Sequence, residues 1–99
     1  MINKSQLFEQ LAGKTSIVEI EEVGEIEIRG LSFADVQEIQ SMNVDGMNSS
    51  LHFIQRGLIN PKLEIEDIEL LKQSQPTKLF RIAKAIQEIS GLESEENLD

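Results

Sequence analysis

Apolar positions recur along this chain with two different periods. Over residues 5–12, Leu7, Phe8 and Leu11 fall at helical spacing and Gly13 offers a stop, which predicts a short amphipathic helix. A run of that length is marginal alone, so it is expected to dock on another element. The period then drops to two. Residues 17–22 and 25–29 alternate β-branched and acidic side chains, the pattern of a half-buried hairpin. A two-residue turn at Val23-Gly24 would mix the two faces. A three-residue loop of Glu22, Val23 and Gly24 pairs Ile20 with Ile26, Val18 with Ile28, Glu21 with Glu25 and Glu19 with Glu27, leaving one face wholly apolar. That face must pack on helices, because a lone hairpin is marginal in water.

Beyond Gly30 the period is helical again. Ser32 with Asp35 three residues on reads as a capping box that opens a helix to about Met42, burying Phe33, Val36 and Ile39. Asn43-Val44-Asp45-Gly46 is a turn, and a third helix over about 47–59 carries Leu51, Ile54 and Leu58 as its stripe. Gly57 within it costs about 1 kcal/mol relative to Ala, which signals close packing or an early helix end. Asn60-Pro61 breaks the chain, and a short acidic helix over 63–73 turns Ile65, Ile68 and Leu71 (or Leu70) inward. Pro76 suits the first position of a last helix, about 77–90, with Leu79, Ile82, Ile86 and Ile89 at three-four-three spacing, Phe80 and Ala83 beside them, and Gly91 as its cap. The expected architecture is mainly α with one N-terminal β-hairpin, an α+β domain of about five helices over residues 1–92. Residues 93–99 read as an acidic, disordered tail.

Composition narrows the functional classes. The chain has 99 residues, near the commonest domain size, so one domain with one core is expected. Nine Lys and Arg against eighteen Asp and Glu give a net charge of −9, which argues against nucleic-acid binding, since phosphate contacts need clustered cations. Cys is absent, which removes disulfides, thiolate metal sites and cysteine nucleophiles together. With four Phe and no Trp or Tyr, the core must be built from Ile and Leu, and a partner must be held by aliphatic patches and charge. The first residues carry no cationic leader ahead of a long apolar run, and no window approaches the roughly 18 apolar residues of a membrane span. A cytoplasmic protein that meets neither membrane nor nucleic acid is expected.

Candidate chemistry is sparse. Gly13-Lys14-Thr15 ends like a phosphate-binding loop, but Phe8 stands where that loop needs its first Gly. Asp45-Gly46 sits where a calcium loop has its Gly, yet the position of the final Glu ligand is His52. His52 is the single imidazole, and with no Cys it cannot complete a structural zinc site. No carboxylate pair is set apart by aromatics or fixed cations, so solvated charge is the simpler reading. The expectation is a non-enzymatic chain with no cofactor and no metal.

Two features stand above that background. The polar hairpin face, Glu19, Glu21, Glu25 and Glu27, sets like charges opposite one another. It reads as a solubility face that discourages strand pairing or as a surface for a basic partner. The last helix has an apolar stripe, Leu79, Phe80, Ile82, Ala83, Ile86 and Ile89, that is either core or a partner-binding face wider than one core needs.

The order of segments also resembles a known family. Glu25-Ile26-Glu27-Ile28-Arg29-Gly30-Leu31-Ser32 leads from the hairpin into an acidic helix. Arg56-Gly57-Leu58-Ile59-Asn60-Pro61-Lys62-Leu63 follows, then a second acidic helix, a Pro, and a last helix closing with Ile86-Gln87-Glu88-Ile89-Ser90-Gly91-Leu92. Over residues 16–92 this is similar to the tail assembly chaperones of long-tailed bacteriophages and related prophage proteins. The resemblance implies a non-enzymatic protein that coats the tape measure protein in the host cytoplasm, keeps it soluble and helps recruit tail tube protein. It also implies self-association into a homo-oligomer, a frameshift-extended second form in many relatives, and absence from the mature virion. The rival expectations are a virion component of head–tail connector type and an acidic DNA mimic.

Overall fold

The first three helices begin where a short polar side chain can hold otherwise unpaired N–H groups. In the computed structural model, which describes residues 1–91, Asn3 caps α1 (Lys4–Leu11), Ser32 caps α2 (Phe33–Ser41) and Asp45 caps α3 (Gly46–Gly57). Ser32 and Asp35 form the expected capping box, each side chain bonding to the other residue's backbone N–H. A single 3-10 turn at Ile65–Asp67 leads into the four-residue α4 (Ile68–Leu71). Pro76 opens α5 (Pro76–Ser90), and Gly91 closes it in the left-handed conformation at φ 80°.

Two strands, β1 (Thr15–Ile20) and β2 (Gly24–Arg29), form the hairpin, and β3 (Leu58–Asn60) adds antiparallel to β2, giving the order β1-β2-β3. The chain is thus a small α+β domain, as the periodicity predicts. The expected boundary at 92 and the acidic stretch 93–99 lie outside the described residues.

The hairpin register differs from the expected one. Val18 pairs with Ile26, Glu19 with Glu25 and Ile20 with Gly24. The loop is Glu21, Glu22 and Val23, closed by the Val23 N–H donating to the Ile20 carbonyl at 2.9 Å with Glu22 at φ 68°. A slip of two residues keeps every side chain on its face. Ile20, Ile26 and Ile28 are therefore buried and Val18 half-buried, as expected, although their partners changed.

β3 was not anticipated, because Leu58 and Ile59 read as the end of a helix and Asn60 as the break after it. The helix stops at Gly57, where a Cβ would lie 2.6 Å from Ile86 Cδ1, so the Ile86 side chain of α5 packs directly on the α3 backbone. Both readings of that glycine, close packing and early termination, hold.

The core joins Ile20, Ile26 and Ile28 of the sheet to Leu51 and Ile54 of α3 and to Leu79, Ile82, Ala83 and Ile86 of α5. Leu31, Ile39, Leu58 and Ile68 complete it, and Phe53 packs partly against it. It is aliphatic, as the scarcity of aromatics requires. α5 is its centre, touching α3, β1 and β2. Its last turn is pinned to the exit of the hairpin. The Ser90 hydroxyl donates to the Ile86 carbonyl at 2.6 Å and accepts the Leu31 N–H at 2.8 Å. A Cβ on Gly30 would lie 3.0 Å from the Ile89 carbonyl oxygen, so the two backbones meet directly.

Three expected burials fail. Phe33 is 82% exposed, because as the first residue of α2 it lies outside the turn that reaches the core. Ile65 is exposed, since the acidic helix shortens to α4 and begins after it. α1 buries no residue and makes no substantial contact with another element. The hairpin face that could have received α1 is covered by α5.

Candidate partner-binding surfaces

The α5 stripe divides between core and surface. Leu79, Ile82, Ala83 and Ile86 are buried and Ile89 is half-buried against the core. Most of the stripe drawn from periodicity therefore closes the domain as core. α5 needs this whole width because it covers α3 on one side and the sheet on the other. Phe80 remains exposed. With Met47, Leu51, Pro76 and Leu79 it lines an apolar pocket of about 140 Å³ between the starts of α3 and α5.

The larger apolar surface lies at the other end of the sequence. Phe8 is 60% and Leu11 68% exposed, with Leu7, Ile2 and Met1 also open to solvent. The spacing of Leu7, Phe8 and Leu11 places them on one side of α1. Sequence periodicity marks this stripe but treats it as core, because an amphipathic helix ordinarily covers something.

The acidic hairpin face is partly as expected. Glu19 and Glu25 stand directly opposite each other and are exposed, while Glu27 is half-buried and lies opposite Ile17 in β1 and Asn60 in β3. Glu21 leaves this face, because the loop begins at it. Arg81 of α5 reaches the loop instead, donating to the Glu21 carbonyl at 3.3 Å and lying 4.0 and 3.8 Å from the Glu21 and Glu22 carboxylates. Exposed Ile17 interrupts the row of acids.

A fourth site was not anticipated. Asp35 Oδ2 takes a bond from Arg29 at 3.0 Å, and its Oδ1 takes one from Arg56 at 3.2 Å; Arg56 also reaches Glu38 at 2.8 Å. Burial alone would raise the Asp35 carboxyl, but the Ser32 backbone N–H, the Arg29 guanidinium and the Ser32 hydroxyl together bring it down to about 2. The bond that Arg56 donates to Glu38 raises its guanidinium against its own burial, with Asp35 adding to it. Asp35 was legible as the partner of the Ser32 cap, three residues on. Its ion pairs join β2, α2 and α3 and leave no local signal. Arg29, Arg56 and Lys62 line an open cleft of about 570 Å³ beside Leu58, Ile59, Leu63 and Ile65.

His52, the single imidazole, is half-buried on α3. Burial, then the Arg56 and Lys72 charges, push its imidazole below the ordinary value, and its Nδ1 has no partner among the described residues. Among the described residues there is also no cluster of His, Cys, Asp and Glu able to hold a metal ion, and no helix long and apolar enough to cross a membrane. Comparison with known protein families, with curated proteins and with solved structures finds no match to this chain.

Proposed function

We propose that this chain is a non-enzymatic tail assembly chaperone. It binds and solubilises the tape measure protein of a long-tailed phage, helps recruit tail tube protein, and associates with itself. It acts in the bacterial cytoplasm and is left out of the finished virion.

The observation that carries this reading is α1, an amphipathic helix that buries no residue and leaves Phe8 and Leu11 largely exposed. A helix of eight residues is marginal in water without packing. Contact with a second apolar helix would cover Leu7, Phe8 and Leu11 and stabilise α1 at the same time, the chemistry of helix-in-groove recognition. The pocket beside Phe80 offers a further apolar contact. The grip is therefore assigned to α1 and Phe80, with the rest of the α5 stripe supporting the domain behind them. The net charge of −9 keeps such a complex dispersed, and exposed Glu19 and Glu25 attract basic client segments.

Co-expression with the tape measure gene followed by pull-down tests the proposal. The wild-type chain should hold the tape measure protein in the soluble fraction. The double variant Phe8→Ser, Leu11→Ser should lose at least tenfold in recovered client, with its melting temperature unchanged because neither side chain supports the core. A tape measure protein that is soluble and unbound whether or not this chain is present removes the proposal.

A further inference from the structure

In a chain of net charge −9, Arg29, Arg56 and Lys62 converge on one cleft whose lining contains a single acid, Asp35. Asp35 holds the two guanidinium groups with separate oxygens, 3.0 Å from Arg29 and 3.2 Å from Arg56, and Glu38, outside the lining, holds Arg56 at 2.8 Å, so both are fixed before any ligand arrives and Lys62 supplies the unpaired charge. Lys62 is exposed and has no ion-pair partner among the described residues. The Arg56 Nε–H is buried with no acceptor among the described residues, so that guanidinium lacks one bond there. The remaining wall is aliphatic, from Leu58 and Ile59 of the edge strand β3 to Leu63.

We propose that this cleft binds a carboxylate carried on an apolar peptide, an acidic–aliphatic segment of another protein. A planar carboxylate matches the guanidinium fork, and the Leu and Ile wall receives the side chains flanking it. A long polyanion such as a nucleic acid is disfavoured, because it would run past the cleft onto the acidic remainder of the surface. A short segment escapes that repulsion, which solvent ions screen beyond about 8 Å. The cleft shares no residue with the client grip assigned above, so failure of either proposal leaves the other standing.

The test is calorimetric titration of the whole chain with a short acetylated and amidated peptide alternating Leu and Glu. Matched Leu/Gln and Leu/Lys peptides, the same Leu/Glu peptide with a free C-terminus, and inorganic phosphate form the other arms. The Leu/Glu peptide should bind and shift the Arg56 Nε–H resonance, and the free C-terminus should tighten binding if a terminal carboxylate is the preferred source. Lys62→Glu should weaken binding about tenfold without altering the melting curve. Arg56→Lys, which keeps the charge and loses the fork, should weaken it by a similar factor. Absence of binding, equal binding of the Leu/Gln peptide, competition by phosphate at equal concentration, or unchanged affinity in Lys62→Glu would each overturn the assignment.

Discussion

Gly57 faces Ile86 with no room for a methyl group. A Cβ would fall 2.6–2.9 Å from three carbons of a side chain that is itself fully buried. In Gly57→Ala, overpacking of about 1–3 kcal/mol competes with about 1 kcal/mol gained from helix propensity. A net loss of about 1 kcal/mol is expected, read as a lower urea midpoint; a stabilised variant would show that Ile86 can move aside. Asp35 works at the same scale through charge. Its carboxyl is held near 2 against an ordinary 3.8, so the folded state gains from its ionised form. That gain is complete above 3.8 and is lost as the pH falls toward 2. Asp35→Asn should cost about 2 kcal/mol at neutral pH, from the weakened cap and the two ion pairs. It should also flatten the fall in stability across that acid window, which acid titration followed by circular dichroism would reveal.

At the scale of elements, the hairpin shows what alternation can and cannot specify. It assigns Val18, Ile20, Ile26 and Ile28 to one face, but a slip of two residues leaves those faces unchanged, so the strand partners depend on where the loop closes. The observed pairing sets Glu19 against Glu25. Glu25→Gln should therefore stabilise the hairpin by about 0.2–1 kcal/mol, and a fall in melting temperature would contradict the register. The Ser32–Asp35 capping box placed the start of α2 and Pro76 that of α5, because both signals act through residues adjacent in sequence. β3 was hidden, since three residues hold too little alternation to separate a strand from a helix end. The α5 stripe was legible as a stripe, but whether it faced core or partner depended on how many elements α5 covers. The Arg29–Asp35–Arg56 cluster joins three elements and has no local signature at all.

For the whole molecule, a charge of −9 means that compaction works against self-repulsion. Added sodium chloride screens exposed acids more than the partly buried pairs of Asp35. The melting temperature should rise by a few degrees as salt goes from about 20 to about 300 mM; a fall would mean that ion pairs outweigh the repulsion. The same molecule leaves α1 uncovered while α5 touches the sheet and α3 together and is tied to Leu31 through Ser90. That last contact has a consequence for synthesis. A ribosome delivers the hairpin first and the helix that covers it some 60 residues later, so Ile20, Ile26 and Ile28 stay bare to solvent until that helix follows. A nascent chain of this kind stays sticky until its final turn emerges, and it needs either rapid completion or a companion while it waits.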